Sequence, residues 1–259
     1  MSMDALHQLE LERIMQPVPR DAHVVPVSFP VTSFGDPRGA RLATLGTNPG
    51  IFEFTKLYRS YSILSHGYKR LVDRELLGLG PWEVPSLEQA KQILEGNHRY
   101  FHTNPYMTSF AHLEDLGLRL LGLSYKDGTL VHIDLVQWAT DPPWQFISEK
   151  QPKAKLLADG LEYVLQLVKL SSFECIIIPS QDVFNALKRQ KAISVVDVAS
   201  AESSPGRVNF YTGDLAGTPF ISWGISAPNN VLAQEQTAKI SARVREFVSG
   251  LSDQQRSTS

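Results

Sequence analysis

The residues best suited to chemistry in this chain are Gly46-Thr47-Asn48-Pro49-Gly50-Ile51-Phe52, which follow the apolar run Leu42-Ala43-Thr44-Leu45. A run that stops abruptly in Gly, Asn, Pro and Gly reads as a strand delivering a polar turn to the carboxyl edge of a sheet, where α/β proteins meet their ligands. The Asn48 amide carries both a donor and an acceptor, enough to orient a water, and Gly50 lets backbone approach a ligand closely. The bland counterpart is a strand-ending turn with no chemistry. A second polar group, Asp134, stands in the run Leu130-Val131-His132-Ile133-Asp134-Leu135-Val136. An ionised Asp only accepts hydrogen bonds, so it suits either a partner rich in N–H donors or a structural cap.

Other candidates carry less. His98 and His102 stand four apart on an expected helix, the spacing of two metal ligands on one face, but no third ligand accompanies them, so no metal site is expected. His132 alternates with Val131 and Ile133 and reads as a satisfied core or surface residue. Trp138 and Trp144, in a loop with Pro142 and Pro143, read as packing anchors. There is no Gly-x-Gly-x-x-Gly, no Gly-Lys-Ser/Thr phosphate loop and no Gly-x-Ser-x-Gly elbow, so no nucleotide cofactor is expected.

The elements that must position these groups are legible in outline. Residues 4–16 put Leu6, Leu9, Ile14 and Met15 on one helical face before Pro17 and Pro19. Val24 to Pro30 reads as an edge strand or extended arm, and Arg41 to Gly46 as the first core strand. Helical spacing is expected between Phe54 and Gly80, from Ser86 towards Phe101, and over 109–122, 153–169, 180–190 and 231–250. Strands near 41, 130, 174 and 219, with 208–211 beside the last, alternate with these helices. The pattern predicts an α/β fold, a three-layer α/β/α sandwich with a mostly parallel, four-stranded central sheet. Residues 1–251 are read as one domain (helix and arm 1–39, core 40–251) and 252–259 as a disordered tail.

Composition sets the outer bounds. The chain has 259 residues, 42% hydrophobic and 20% charged, and one cysteine, Cys175, within an apolar run. That excludes an internal disulfide and a thiolate cluster. The leucines near the N-terminus are interrupted by Glu10 and Glu12, and no stretch approaches spanning length. An intracellular, cytoplasmic protein (nuclear in a eukaryote) with no membrane partner is expected. A net charge of −2 argues against wholesale coating of nucleic acid but leaves room for a local basic face, with Lys69, Arg70 and Arg74, or Lys188, Arg189 and Lys191, as candidates.

In that context, Gly46-Thr47-Asn48-Pro49-Gly50-Ile51-Phe52 resembles the first active-site motif of the uracil-DNA glycosylase superfamily, in the Gly-x-Asn-Pro-Gly form of its mismatch-specific and single-strand-selective branches. Those families carry a second motif, His-Pro-Ser-Pro or Asn-Pro-Ser, between the last strand and last helix. Trp223-Gly224-Ile225-Ser226-Ala227-Pro228-Asn229-Asn230 is a degenerate match to it. The resemblance implies a base-excising hydrolase acting on DNA through an extruded nucleotide, without cofactor or metal and as a monomer. Asn48 would position the water, with Gly46, Thr47, Pro49, Gly50 and Phe52 around the base. Ser226, Asn229 and Asn230 would contact DNA. Stacking on the extruded base would fall to one of Phe52, Phe54, Tyr100, Phe101 and Tyr106.

Two departures matter. Asp134 stands where the superfamily commonly reads the base with Asn, which disfavours uracil as the best substrate. Ile225 stands where a His would donate to the leaving base, and losing one such donor costs roughly two to three powers of ten in rate. The competing expectations are a superfamily relative without catalysis, serving as a nucleic-acid or protein binding module, and an unrelated α/β hydrolase or transferase.

Overall fold

The computed structural model describes residues 4–54, 70–104, 108–116, 118–203, 206–226 and 234–257. The chain divides into two compact units, each assembled from three segments: Met1–Pro37, Thr47–Pro105 and Ile133–Leu170 in the first, Arg38–Gly46, Tyr106–His132 and Ser171–Ser259 in the second.

The first unit is built on helices α1 (Ala5–Ile14), α2 (Leu87–His98), α3 (Tyr100–Thr103) and, further along the chain, α5 (Lys150–Leu170). Asp4 caps α1, and Ser86 and Gln89 form a reciprocal capping box on α2, the sequence signature of a helix start. Leu11 and Ile14 of α1 pack with Phe29, Ala90, Ile93 and Leu94 in one core cluster. A second cluster joins Val18, Ala22 and Val24 to Val136, Trp138 and Leu156, with Trp144 against it, so both tryptophans are packing anchors. The 24–31 segment is an arm rather than a strand. A single bridge pairs Val24 with Thr140, and the amides of Val25 and Val31 reach the carbonyls of Ala139 and Gln137.

The second unit holds most of a six-stranded sheet: β1 (Leu42–Gly46), β2 (Leu130–Asp134), β3 (Cys175–Ile178), β4 (Ile193–Ser203), β5 (Gly206–Leu215) and β6 (Thr218–Ser226), in the order β2-β1-β3-β6-β5-β4. The last two residues of β2 count with the first unit. The α/β class stands, and all four expected core strands are present, with β1–β3 and β3–β6 parallel. The count of four is corrected to six, because β5 and β4 extend the sheet by antiparallel pairing. Between β5 and β6, Ala216 and Gly217 both take positive φ (55° and 94°), the two-residue hairpin geometry, and the Gly217 amide donates to the Asp214 carboxylate. Strand β4 has weak sequence signal: it is an edge strand, bulged at Val195/Asp197, with Val196 81% exposed.

Helix α4 (Thr108–Asp115) is shorter than the 109–122 run expected, since the chain passes into a 3-10 turn at Arg119–Leu121 and Gly122 stops it at φ 71°. The Glu114 carboxylate takes the Tyr125 amide and the Ser124 hydroxyl there instead. Helix α6 (Gln181–Arg189) is capped by Ser180 and buries Val183, Phe184, Ala186 and Leu187. Helix α7 (Gln234–Ser257) runs into the stretch expected as a disordered tail. Residues 70–80, expected to be helical, form bends and turns, with the Asp73 carboxylate taking the Leu76 amide and Gly78 at φ 68°. Residues 55–69 of that expected helix lie outside the described residues.

Candidate functional site

Strand β1 runs out at Gly46, and the hexad that follows, residues 47–52, belongs to the first unit together with the end of β2. The two chain ends are stitched by their backbones: the Val136 amide donates to the Thr47 carbonyl at 2.9 Å. Asn48 is half-buried. Its Nδ2 donates to the Trp138 carbonyl (3.4 Å), to Thr140 Oγ1 (3.3 Å) and to the Pro49 carbonyl (3.2 Å). A carbonyl can only accept, so these contacts fix which end of the amide faces the 138–140 segment. Oδ1 has no hydrogen-bond partner among the described residues and is left as the acceptor. Pro49 is buried and Gly50 exposed, with open space where a Cβ would be.

Asp134, the last residue of β2, is buried. Its carbonyl accepts from the Gln137 amide at 2.6 Å, and Gln137 in turn accepts from the buried Arg13 guanidinium of α1 at 2.7 Å. Arg13 also pairs with Asp159 of α5 at 2.7 Å. The turn that carries Asp134 is thus braced from α1 through two buried side chains. Sequence reasoning missed this brace, because Arg13 and Glu10 lie on the helix face that is buried rather than solvated.

Glu53 is the other residue sequence reasoning missed. It ends the 3-10 turn Ile51–Glu53 that continues the hexad, and it is only 8% exposed. Its Oε2 accepts from the Tyr100 hydroxyl at 2.9 Å, and its Oε1 meets the Arg70 guanidinium at 3.4 Å. Its backbone carbonyl takes the amides of Arg70 and Leu71, both at 3.1 Å. Burial pushes the Glu53 carboxyl above its ordinary range against the opposing pull of Arg70 and Tyr100, and the charge of Asp134 adds to the rise. Burial, with Glu53 beside it, likewise pushes the Tyr100 phenol far up. A weak signal for Glu53 did exist: an acid one residue past Phe52, inside a segment otherwise apolar.

Among the stacking candidates, Phe54, Tyr100 and Phe101 are core residues, whereas Phe52, the last residue of the hexad, is 46% exposed. Tyr106 lies outside the described residues. Ser226 ends β6 in its backbone, while Asn229 and Asn230 lie outside the described residues, as does Lys69. Arg70 is engaged by Glu53 and Arg74 is buried over the Phe29 ring, so neither is a solvated basic face; Lys188, Arg189 and Lys191 are exposed.

The histidines are accounted for by their neighbours. His98 Nε2 meets Glu10 Oε1 at 2.8 Å, and His102 is exposed, so the pair does not converge. His132, in the second unit, is a satisfied core residue. Its Nδ1 meets Thr44 Oγ1 at 2.8 Å, Thr44 also meets the Tyr125 hydroxyl, and the Phe110 ring lies edge-on. Among the described residues no group of three or more His, Cys, Asp and Glu could hold a metal ion, and no helix is long and apolar enough to cross a membrane. No protein-family model matches the chain, and no curated protein matches it.

Proposed function

We propose that this protein is a DNA glycosylase-like hydrolase that cleaves the N-glycosidic bond of a damaged or mismatched base extruded from DNA. The observation that carries the reading is the state of Asn48: its amide hydrogens point to Trp138, Thr140 and Pro49, and among the described residues Oδ1 is left as an acceptor at the carboxyl end of β1. An amide so fixed can hold one hydrogen of a water with little reorganisation, which is what attack on a cation-like sugar carbon requires. Gly46, Thr47, Pro49 and Gly50 shape the turn around it. Phe52, exposed at the end of the hexad, offers an aromatic face for the base. Asp134 meets the base edge and favours one presenting N–H donors over uracil. Ser226, Asn229 and Asn230 contact the DNA backbone.

The reading includes a three-layer α/β/α arrangement, a monomer working without metal or cofactor, and an intracellular location, cytoplasmic or nuclear.

The test incubates the protein, Asn48→Ala and Asp134→Asn with oligonucleotides each carrying one uracil, hypoxanthine, xanthine or mismatched base, followed by alkaline scission. Cleavage at one lesion by the parent is expected, with Asn48→Ala slower by about 10²–10³-fold and Asp134→Asn shifted towards uracil. Absence of cleavage at every lesion, in single and double strands, overturns the reading. The chain would then be taken as a binding module, tested by DNA titration across salt.

A further inference from the structure

Three acceptors share the two amide hydrogens of Asn48, and two of them are backbone carbonyls, those of Pro49 and Trp138. The third is a side chain, Thr140 Oγ1, at 3.3 Å from Nδ2. Thr140 is 1% exposed, and its hydroxyl has no other hydrogen-bond partner among the described residues. A buried hydroxyl costs free energy unless it is paired, and a valine would fill the same space without that cost. Packing therefore does not account for a threonine here, whereas the contact with Asn48 does. The backbone that carries Thr140 is itself fixed by the arm. Val24 pairs with Thr140 in an antiparallel bridge, the Val25 amide donates to the Ala139 carbonyl at 2.9 Å, and the Asp141 amide donates to the His23 carbonyl at 2.8 Å. A β-branched side chain on backbone so held has few rotamers, so Oγ1 stands at a defined point. Every group in this chain of contacts belongs to the first unit.

We propose that Thr140 is a positioning residue acting through Asn48: its hydroxyl, set in place by the arm, fixes the rotation of the amide about its last side-chain bond and so the direction in which Oδ1 faces. The inference rests on the glycosylase reading for the reaction it serves, but not for the hold on Asn48 itself. The two carbonyls decide which end of the amide faces residues 138–140, since a carbonyl cannot donate to Oδ1. They leave the tilt of the amide plane loose, because a terminal torsion of this type has broad wells and their contacts, at 3.2 and 3.4 Å, are long. A third acceptor, carried on a separately anchored residue, narrows that freedom. A water bound by Oδ1 is then aimed before the sugar reacts, with no reorganisation left for the moment of attack.

Two measurements on the full chain test this. The first follows by NMR the exchange of the Asn48 side-chain amide hydrogens with water, their signals assigned by loss in Asn48→Ala. Exchange is expected about 5–10-fold faster in Thr140→Val and close to the parent's in Thr140→Ser, which keeps the hydroxyl. Thr140→Ala also removes the hydroxyl and is expected to match Thr140→Val, so the result does not depend on the folding of one variant. Unchanged exchange in the variants without the hydroxyl overturns the inference, whether or not any base is excised. The second measures single-turnover excision with the substrate the parent cleaves. Thr140→Val is expected to lower the rate by about 5–10-fold with oligonucleotide affinity unchanged, and Thr140→Ser to recover most of that loss. In an Asn48→Ala background the same Thr140→Val change is expected to cost nothing further; an undiminished loss there overturns action through Asn48. Faster exchange in Thr140→Val of a chain that excises nothing supports the hold of Thr140 on Asn48 and overturns the glycosylase reading alone.

Discussion

A carboxyl group that is buried leaves a mark on stability as well as on chemistry. Glu53 has its carboxyl raised above the ordinary range, chiefly by burial. The unfolded chain loses that proton first as pH rises, so between the ordinary and the raised values the native state binds more protons than the unfolded state. Stability therefore falls with rising pH across that window. The contribution of the protonated carboxyl is complete at the acid end and is lost as pH passes the raised value. Denaturant unfolding followed from the ordinary glutamate range up to neutrality is expected to show this decline in the parent and a flatter profile in Glu53→Gln. An equally steep decline in the variant would assign it to other groups. The sequence pointed to Asn48 and Asp134 because residue type and place at a strand end are local properties. It did not point to Glu53 as an ionisable group of interest, because its partners Tyr100 and Arg70 come from 47 and 17 residues away.

At the scale of elements, the segment that holds Asn48 is itself held by packing. Residues 135–140 supply the Trp138 carbonyl and Thr140 to Asn48, and α5 passes directly against their start. A Cβ built on Gly160 of α5 would collide with the Leu135 carbonyl, backbone against side chain with nothing flexible to give way. Gly160→Ala is a favourable exchange in an isolated helix by roughly 1 kcal/mol. Here it is expected instead to destabilise by about 1–3 kcal/mol, read from the denaturation midpoint. A stabilised variant would show that α5 does not approach residues 135–136 so closely. The helix itself was legible from its apolar spacing and the loop before it from its prolines. The close approach was not, since glycine in a helix looks the same from sequence whether it is tolerated or required.

Across the whole molecule, the two compact units are interleaved along the chain: all three segments of the first lie before Ser171, but so do β1 and β2 of the sheet. Strand β1 pairs with β3 from Leu42↔Cys175 to Thr44↔Ile177, and β3 with β6. A fragment ending at Leu170 keeps every residue of the first unit and leaves β1 with an unpaired apolar edge. That fragment is expected to associate on size-exclusion chromatography and to lose the cooperative transition of the full chain. A monomeric fragment with a sharp transition would show that the first unit folds without the sheet.

What the sequence determined by itself is what depends on neighbours along the chain: the α/β class, the four core strands, the helix starts near residues 4, 86 and 180, and the Asn48 turn. Periodicity, capping chemistry and turn residues act over a few positions, so they can be read without the fold. Only the tertiary structure decided which polar residues are buried together. Glu10 pairs with His98, Arg13 reaches Gln137, and Glu53 meets Tyr100. It also decided that the sheet continues through β5 to the weakly patterned β4. Burial and long-range pairing depend on what packs against a residue from far along the chain, and a charged side chain bears no local sign of it.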